Sequence, residues 1–147
     1  MIYAGALLDA GEFAIHDWVP DFTTGITTMG VGTTATGWYT SRSGLVEAHF
    51  YVVFAGSPVF ASTIAADLPV PGDYDGIQQA LGSWVFRDSG DGYHYGGPIA
   101  IWSGANSDFC FSGCWDGTAP RSRVTHAKPF TVAAGDILSG ELKYRSA

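Results

Sequence analysis

Residues 45–54 read Leu45-Val46-Glu47-Ala48-His49-Phe50-Tyr51-Val52-Val53-Phe54. Val46, Ala48, Phe50, Val52 and Phe54 recur at every second position, and Glu47 and His49 fall between them. A period of two is the mark of a strand with one face in a core and the other in solvent, because successive side chains point to opposite sides of the pleat. The run is preceded by the turn Ser41-Arg42-Ser43-Gly44, and before that by a strand carrying Trp38 and Tyr39.

The same logic extends along the chain. Residues 137–145 alternate as cleanly: Leu138, Leu142 and Tyr144 face in with Gly140 among them, and Ser139, Glu141, Lys143 and Arg145 face out. Ser62–Leu68 reads as a strand stopped by Pro69 and Pro71, since proline cannot donate to a ladder. Ala80–Arg87 is a strand carrying Trp84 and Phe86. It leads into Asp88-Ser89-Gly90-Asp91-Gly92, where Asp-Gly supplies the positive φ of a tight hairpin. Further strands are expected near 95–102, 107–112 and 122–126. Residues 23–37, rich in Thr and Gly, read as extended chain or loop. Asp9 and Glu12 stand at the spacing of a helix N-cap and N3 residue and predict one short helix near 9–16, ended before Pro20. Short strands at roughly ten-residue intervals form the pattern of an all-β fold, an antiparallel β-sandwich or jelly roll. The division expected is a docking segment over 1–20, with its helix, and a sandwich over 21–147. Leu7, Leu8, Phe13, Ile15 and Trp18 are the candidate docking side chains.

Composition agrees and excludes several functions. Of 147 residues only 14% are charged, against roughly 25% in an average domain. Hydrophobic residues make up 46%, so the chain is no disordered polymer. Seven basic residues face fourteen acidic ones, for a net charge of −7, which argues against nucleic acid as a partner. No basic leader precedes an apolar stretch, and Asp9 and Glu12 interrupt the first one. Synthesis in the cytosol without membrane insertion is therefore expected.

Candidate chemistry is sparse. Asp73 and Asp75 in one loop, and Asp88 and Asp91 in another, set carboxylates close in sequence, as a calcium site or a glycosidase pair requires. Asp and Gly also build turns for their own sake, and that reading is preferred. Cys110 and Cys114 are the only cysteines and read as thiols near a hairpin, or as a small closed loop, rather than as a zinc site. His16, His49, His94 and His126 are scattered. The segment Tyr93-His94-Tyr95, beside Asp91, places aromatic and polar groups at a loop rim, and these four are the candidate ligand-binding residues. No catalytic residue, metal or cofactor is assigned.

Several pieces stand in a recognisable order: Ala4-Gly5 leading to Trp18, then Pro20 and Phe22, a Thr/Gly-rich run, and Gly37-Trp38-Tyr39-Thr40-Ser41-Arg42-Ser43-Gly44. Leu68-Pro69-Val70-Pro71 closes a strand, and Pro129-Phe130-Thr131-Val132-Ala133-Ala134-Gly135-Asp136 precedes a last strand ending Lys143-Tyr144-Arg145. In this order the chain resembles the β-sandwich modules of minor tail and tail-fibre proteins of tailed bacteriophages, especially those of actinobacteria, with capsid decoration proteins as a related group. The resemblance implies a virion structural protein without enzyme activity, assembled in the host cytoplasm. It further implies a homotrimer bound to other virion proteins of tail or capsid; for a tail adhesin, the aromatic loop Tyr93-His94-Tyr95 points to a host cell-surface glycan as ligand. Only the first 18 residues precede the module, so a free-standing small subunit is expected. The alternatives are capsid decoration, a glycan-degrading enzyme using the Asp-rich loops, and a cellular trimeric ligand of the C1q or tumour-necrosis type.

Overall fold

A computed structural model describes residues 14–22, 24–73, 80–101, 108–113, 123–125 and 129–147. Among these described residues nine strands follow in chain order: β1 (His16–Asp17), β2 (Thr24–Thr28), β3 (Thr34–Arg42), β4 (Leu45–Val53), β5 (Val59–Asp67), β6 (Ala80–Arg87), β7 (His94–Ile101), β8 (Asp108–Phe111) and β9 (Ile137–Arg145). All belong to one antiparallel sheet in the order β1-β3-β4-β9-β6-β7-β8-β5-β2. The fold is all-β.

The turn between β3 and β4 fixes the register of that hairpin. Ser43 and Gly44 both have positive φ (48° and 78°), the backbone that a two-residue hairpin loop requires. Arg42 then pairs with Leu45, and each step away from the turn pairs the next residues, down to Thr34 with Val53. The alternation read from the sequence is realised: Val46, Ala48, Phe50 and Val52 are buried on β4, and Leu138, Leu142 and Tyr144 on β9.

The sheet curls onto its own apolar face. Phe50 on β4 and Phe109 on β8 are four positions apart in the strand order. In a flat sheet that separation is about 19 Å, at roughly 4.8 Å per strand. Their ring centroids instead lie 5.8 Å apart, and Phe54 of the β4 end meets Phe60 of β5 at 5.5 Å. Trp18 and Phe22 insert between these layers, at 6.2 Å and 6.3 Å from Phe50. Gly140 makes the close approach practicable: a Cβ there would stand 2.5 Å from Phe50 Cζ and 3.0 Å from Ile99 Cδ1.

Among the described residues the Trp18 indole N–H is buried without a hydrogen-bond partner, while other buried polar groups are tied down. The Trp84 indole N–H donates to the Ser112 carbonyl at 3.0 Å, and the Tyr144 hydroxyl donates to the Val70 carbonyl at 2.8 Å. Asp136, only 1% exposed, accepts from Ser89 N–H and Ser89 Oγ, each at 2.8 Å, and from Ala133 N–H at 2.7 Å. It fastens the segment entering β9 to the β6–β7 turn.

The structure corrects some of these expectations and sharpens others. No helix occurs among the described residues. Residues 9–13 of the expected helix lie outside them, and its far end is extended: His16 and Asp17 pair with Tyr39 and Trp38. The edge of the sheet offers this segment backbone partners, and burial of Trp18 beside them outweighs the weak helix signal that Gly11 already dilutes. For the Thr/Gly-rich run read as extended chain or loop, the extended alternative holds over Thr24–Thr28 and from Thr34 into Thr34–Arg42, because threonine's branched Cβ suits a pleated surface. Of the expected strand near 122–126 only residues 123–125 are described; they form no strand of their own, although Val124 N–H donates to Phe111 O at 3.1 Å.

Candidate functional site

Residues in register across an antiparallel sheet share a face, so the strand pairings define the outer surface row by row. One row runs Trp38 (β3), His49 (β4), Glu141 (β9), Ser83 (β6). The next runs Thr36, Tyr51, Ser139, Val85 on the same strands. All point away from the core, whose residues Phe50, Trp84 and Leu142 alternate with them. At the β1 edge, Asp17 opposite Trp38 extends the first row.

The two rows form an aromatic surface with polar groups set into it. Trp38 stacks on His49, with ring centroids 4.4 Å apart and planes at 23°. Trp38, Tyr51 and Val85 keep 37%, 46% and 43% of their surface in solvent. His49 Nε2 lies 3.6 Å from Glu47 Oε1. Ser83 Oγ donates to Glu141 Oε1 at 3.0 Å, which holds that carboxylate over the strand. Large side chains on β3 and β4 rise beside the small Ser139, Gly140 and Ser83, and this difference in height makes hollows. One of about 370 Å³ lies between Ile15, Asp17, Trp38, His49 and Tyr51. A second of about 320 Å³ has Ser83, Ser139 and Gly140 as its floor, with His49, Val85 and Glu141 around it. A third of about 280 Å³ is bounded by Glu47, His49, Glu141 and Lys143. The three meet at His49.

The hairpin tip expected to bind ligand is arranged differently. Asp88 and Asp91 turn their carboxylates onto their own loop: Oδ1 of each accepts a backbone N–H at 2.7 Å, from Gly90 and Tyr93 respectively. Tyr95 packs inward on Phe130, with centroids 5.2 Å apart. Tyr93 is 66% exposed, and His94 pairs with Arg87 on the outer face. Tyr95 is thus turned to the core side, while Asp91, Tyr93 and His94 stay exposed. Asp73 is exposed and Asp75 lies outside the described residues. Among the described residues no three His, Cys, Asp or Glu side chains come together as metal ligands.

Of the expected docking residues, Trp18 is buried in the core, Ile15 is exposed beside the first hollow, and Leu7, Leu8 and Phe13 lie outside the described residues. Cys110 is a buried free thiol on β8. Burial pushes its pKa up, and the nearby Arg123 partly offsets this. Cys114 and His126 fall outside the described residues.

Sequence reasoning set Glu47 and His49 on the outward face but did not join them to Trp38, Tyr51, Ser83 and Glu141. The signal was present in the Ser43-Gly44 turn, whose two-residue loop by itself places Trp38 opposite His49.

Comparison with protein-family models, with curated proteins and with solved structures found no match.

Proposed function

We propose that the chain is a non-catalytic surface subunit of a bacteriophage virion, of minor-tail or tail-fibre type, that takes part in attachment to the host surface. The observation carrying this reading is the exposed face of Trp38, Tyr51 and Val85 set among Ser83, Glu141 and His49. Exposed aromatics of this kind, clustered on a rigid element with a few fixed polar groups, suit recognition of a partner rather than general solubility. The order of sequence motifs supplies the virion context. The packing of Phe50 on Phe109 and of Phe54 on Phe60 supports a β-sandwich as the finer architecture. In the assembled particle the subunit is a homotrimer, the N-terminal segment joins a larger virion protein, and a glycan of the host envelope is the ligand.

The two carboxylates of the hairpin tip hold their own turn, and this favours a binding role over hydrolysis. Quantifying the chain against the major capsid protein in purified particles tests the proposal. A few to dozens of copies per particle is the expected result. Hundreds would make it a capsid decoration protein, and absence from particles would end the virion reading.

A further inference from the structure

The outer face has a more specific consequence than attachment in general. A saccharide site needs an aromatic surface for the C–H face of a sugar ring, fixed polar groups at its rim for hydroxyls, and a hollow large enough to remove part of the ring from water. The hollows around His49 combine these. Trp38 and Tyr51 supply exposed aromatic surface, and Trp38 is steadied by its stack on His49. Glu141 is held by Ser83 Oγ with its second carboxylate oxygen left as an acceptor, and Ser139 stands on the floor. Volumes of about 370 and 320 Å³ match the lower range of small-ligand sites, roughly 300–1,000 Å³. These side chains sit on paired strands, not on a loop, so the geometry is fixed before a ligand arrives.

Charge narrows the ligand further. The residues around the three hollows include three carboxylates, Asp17, Glu47 and Glu141, against one ammonium, Lys143. A sialylated or uronic-acid sugar would bring its own carboxylate toward them. A second copy of this chain centred on the same hollows would set carboxylate against carboxylate, which disfavours self-association there. Neutral and amino sugars meet neither obstacle, and their hydroxyl or ammonium groups have carboxylates to donate to.

We infer that the outer face of β3, β4, β9 and β6, centred on His49, is a binding site for neutral or amino-bearing saccharides. The site deepens the attachment reading by naming where and what the subunit binds. The two fail separately: a chain found in particles that binds no sugar overturns only this assignment.

The test is an array of neutral, amino-bearing, N-acetylated, sialylated and uronic-acid oligosaccharides, probed with the intact chain, followed by titration of the best binder. Binding to neutral or amino sugars is expected. Trp38→Ala should weaken it about tenfold or more, as loss of a central aromatic contact does. Glu141→Gln, a surface change that keeps an acceptor for Ser83, should weaken it about threefold and answers for the site even where Trp38→Ala perturbs folding. No binding to any sugar, a preference for acidic sugars, or affinity unmoved by Glu141→Gln would each overturn the assignment. Loss of binding in Tyr93→Ala with Glu141→Gln unaffected would move the site to the hairpin tip. Sedimentation showing an oligomer that Glu141→Gln alters, without sugar binding, would give the face to a second copy instead.

Discussion

Gly140→Ala probes the curl of the sheet at its tightest point. Gly140 lies in mid-β9, in register with Phe50 on one side and Trp84 on the other. An added Cβ would stand 2.5 Å from Phe50 Cζ, 2.6 Å from Cε1 and 3.0 Å from Ile99 Cδ1. Carbon atoms rest at about 3.5–4.0 Å, so the Phe50 ring must withdraw by roughly 1 Å. It has little room to do so. Phe50 is 3% exposed, and the rings of Phe109, Phe111 and Trp18 crowd it at 5.8 Å, 6.0 Å and 6.2 Å. Overpacking of this kind costs about 1–3 kcal/mol. The alanine also restricts the unfolded chain, which returns roughly 0.4–1 kcal/mol. The net expectation is a loss of about 1–2 kcal/mol, read as a lower urea midpoint at unchanged slope. Phe50→Leu in the same chain should relieve the clash. The double variant is then more stable than the sum of the two single losses by about 1 kcal/mol. A neutral or stabilising Gly140→Ala, or strict additivity with Phe50→Leu, would refute the packing described between β4, β9 and β8.

Three further outcomes follow from particular groups. Asp136→Ala leaves the Ser89 and Ala133 N–H groups without their acceptor and should cost about 2–4 kcal/mol in equilibrium unfolding, whereas a loss below about 0.5 kcal/mol would deny Asp136 its clamping role. Burial, with Asp21 and Asp108 adding repulsion, raises the Asp67 pKa above its ordinary 3.8, so the folded state holds that proton more tightly than the unfolded chain. Ionised Asp67 therefore opposes folding at neutral pH and the opposition fades as pH falls through the folded pKa toward 3.8; Asp67→Asn should be the more stable form at pH 7, with the advantage shrinking toward pH 4, and a wild type more stable at pH 7 would contradict this. Trp18→Ala should cost about 3–5 kcal/mol as a core truncation, while Ile15→Ser at an exposed position should change stability by less than about 0.5 kcal/mol, so comparable losses at both would be inconsistent with their placements.

What could be read from the sequence was whatever depended on local periodicity. The bounds of β6 and β9 and the inward set on β4 follow from alternation alone, while the turn read over Ser41–Gly44 is tighter than that, with Ser41 and Arg42 still in β3 and Ser43 and Gly44 alone at its tip. The residues around Trp18 were misread because a capping pattern is a local preference, while the pairing of His16 and Asp17 with β3 is a long-range one. The return of β8 onto β4 was equally hidden, since nothing within Asp108–Phe111 says which strand its rings will meet. The same limit explains the site. Tyr93, His94 and Tyr95 drew notice by being adjacent in sequence, yet Tyr95 turns inward to Phe130. Trp38, His49, Glu141 and Ser83 are spread over more than a hundred residues and meet only through the register of four strands.

The proposed role in attachment to the host surface is tested most directly by competition for adsorption. Purified chain is added in excess to host cells before the phage, and the rate of phage adsorption is measured. Wild-type protein is expected to slow adsorption, and Glu141→Gln protein to slow it less. Adsorption unchanged by saturating wild-type protein would contradict an attachment role.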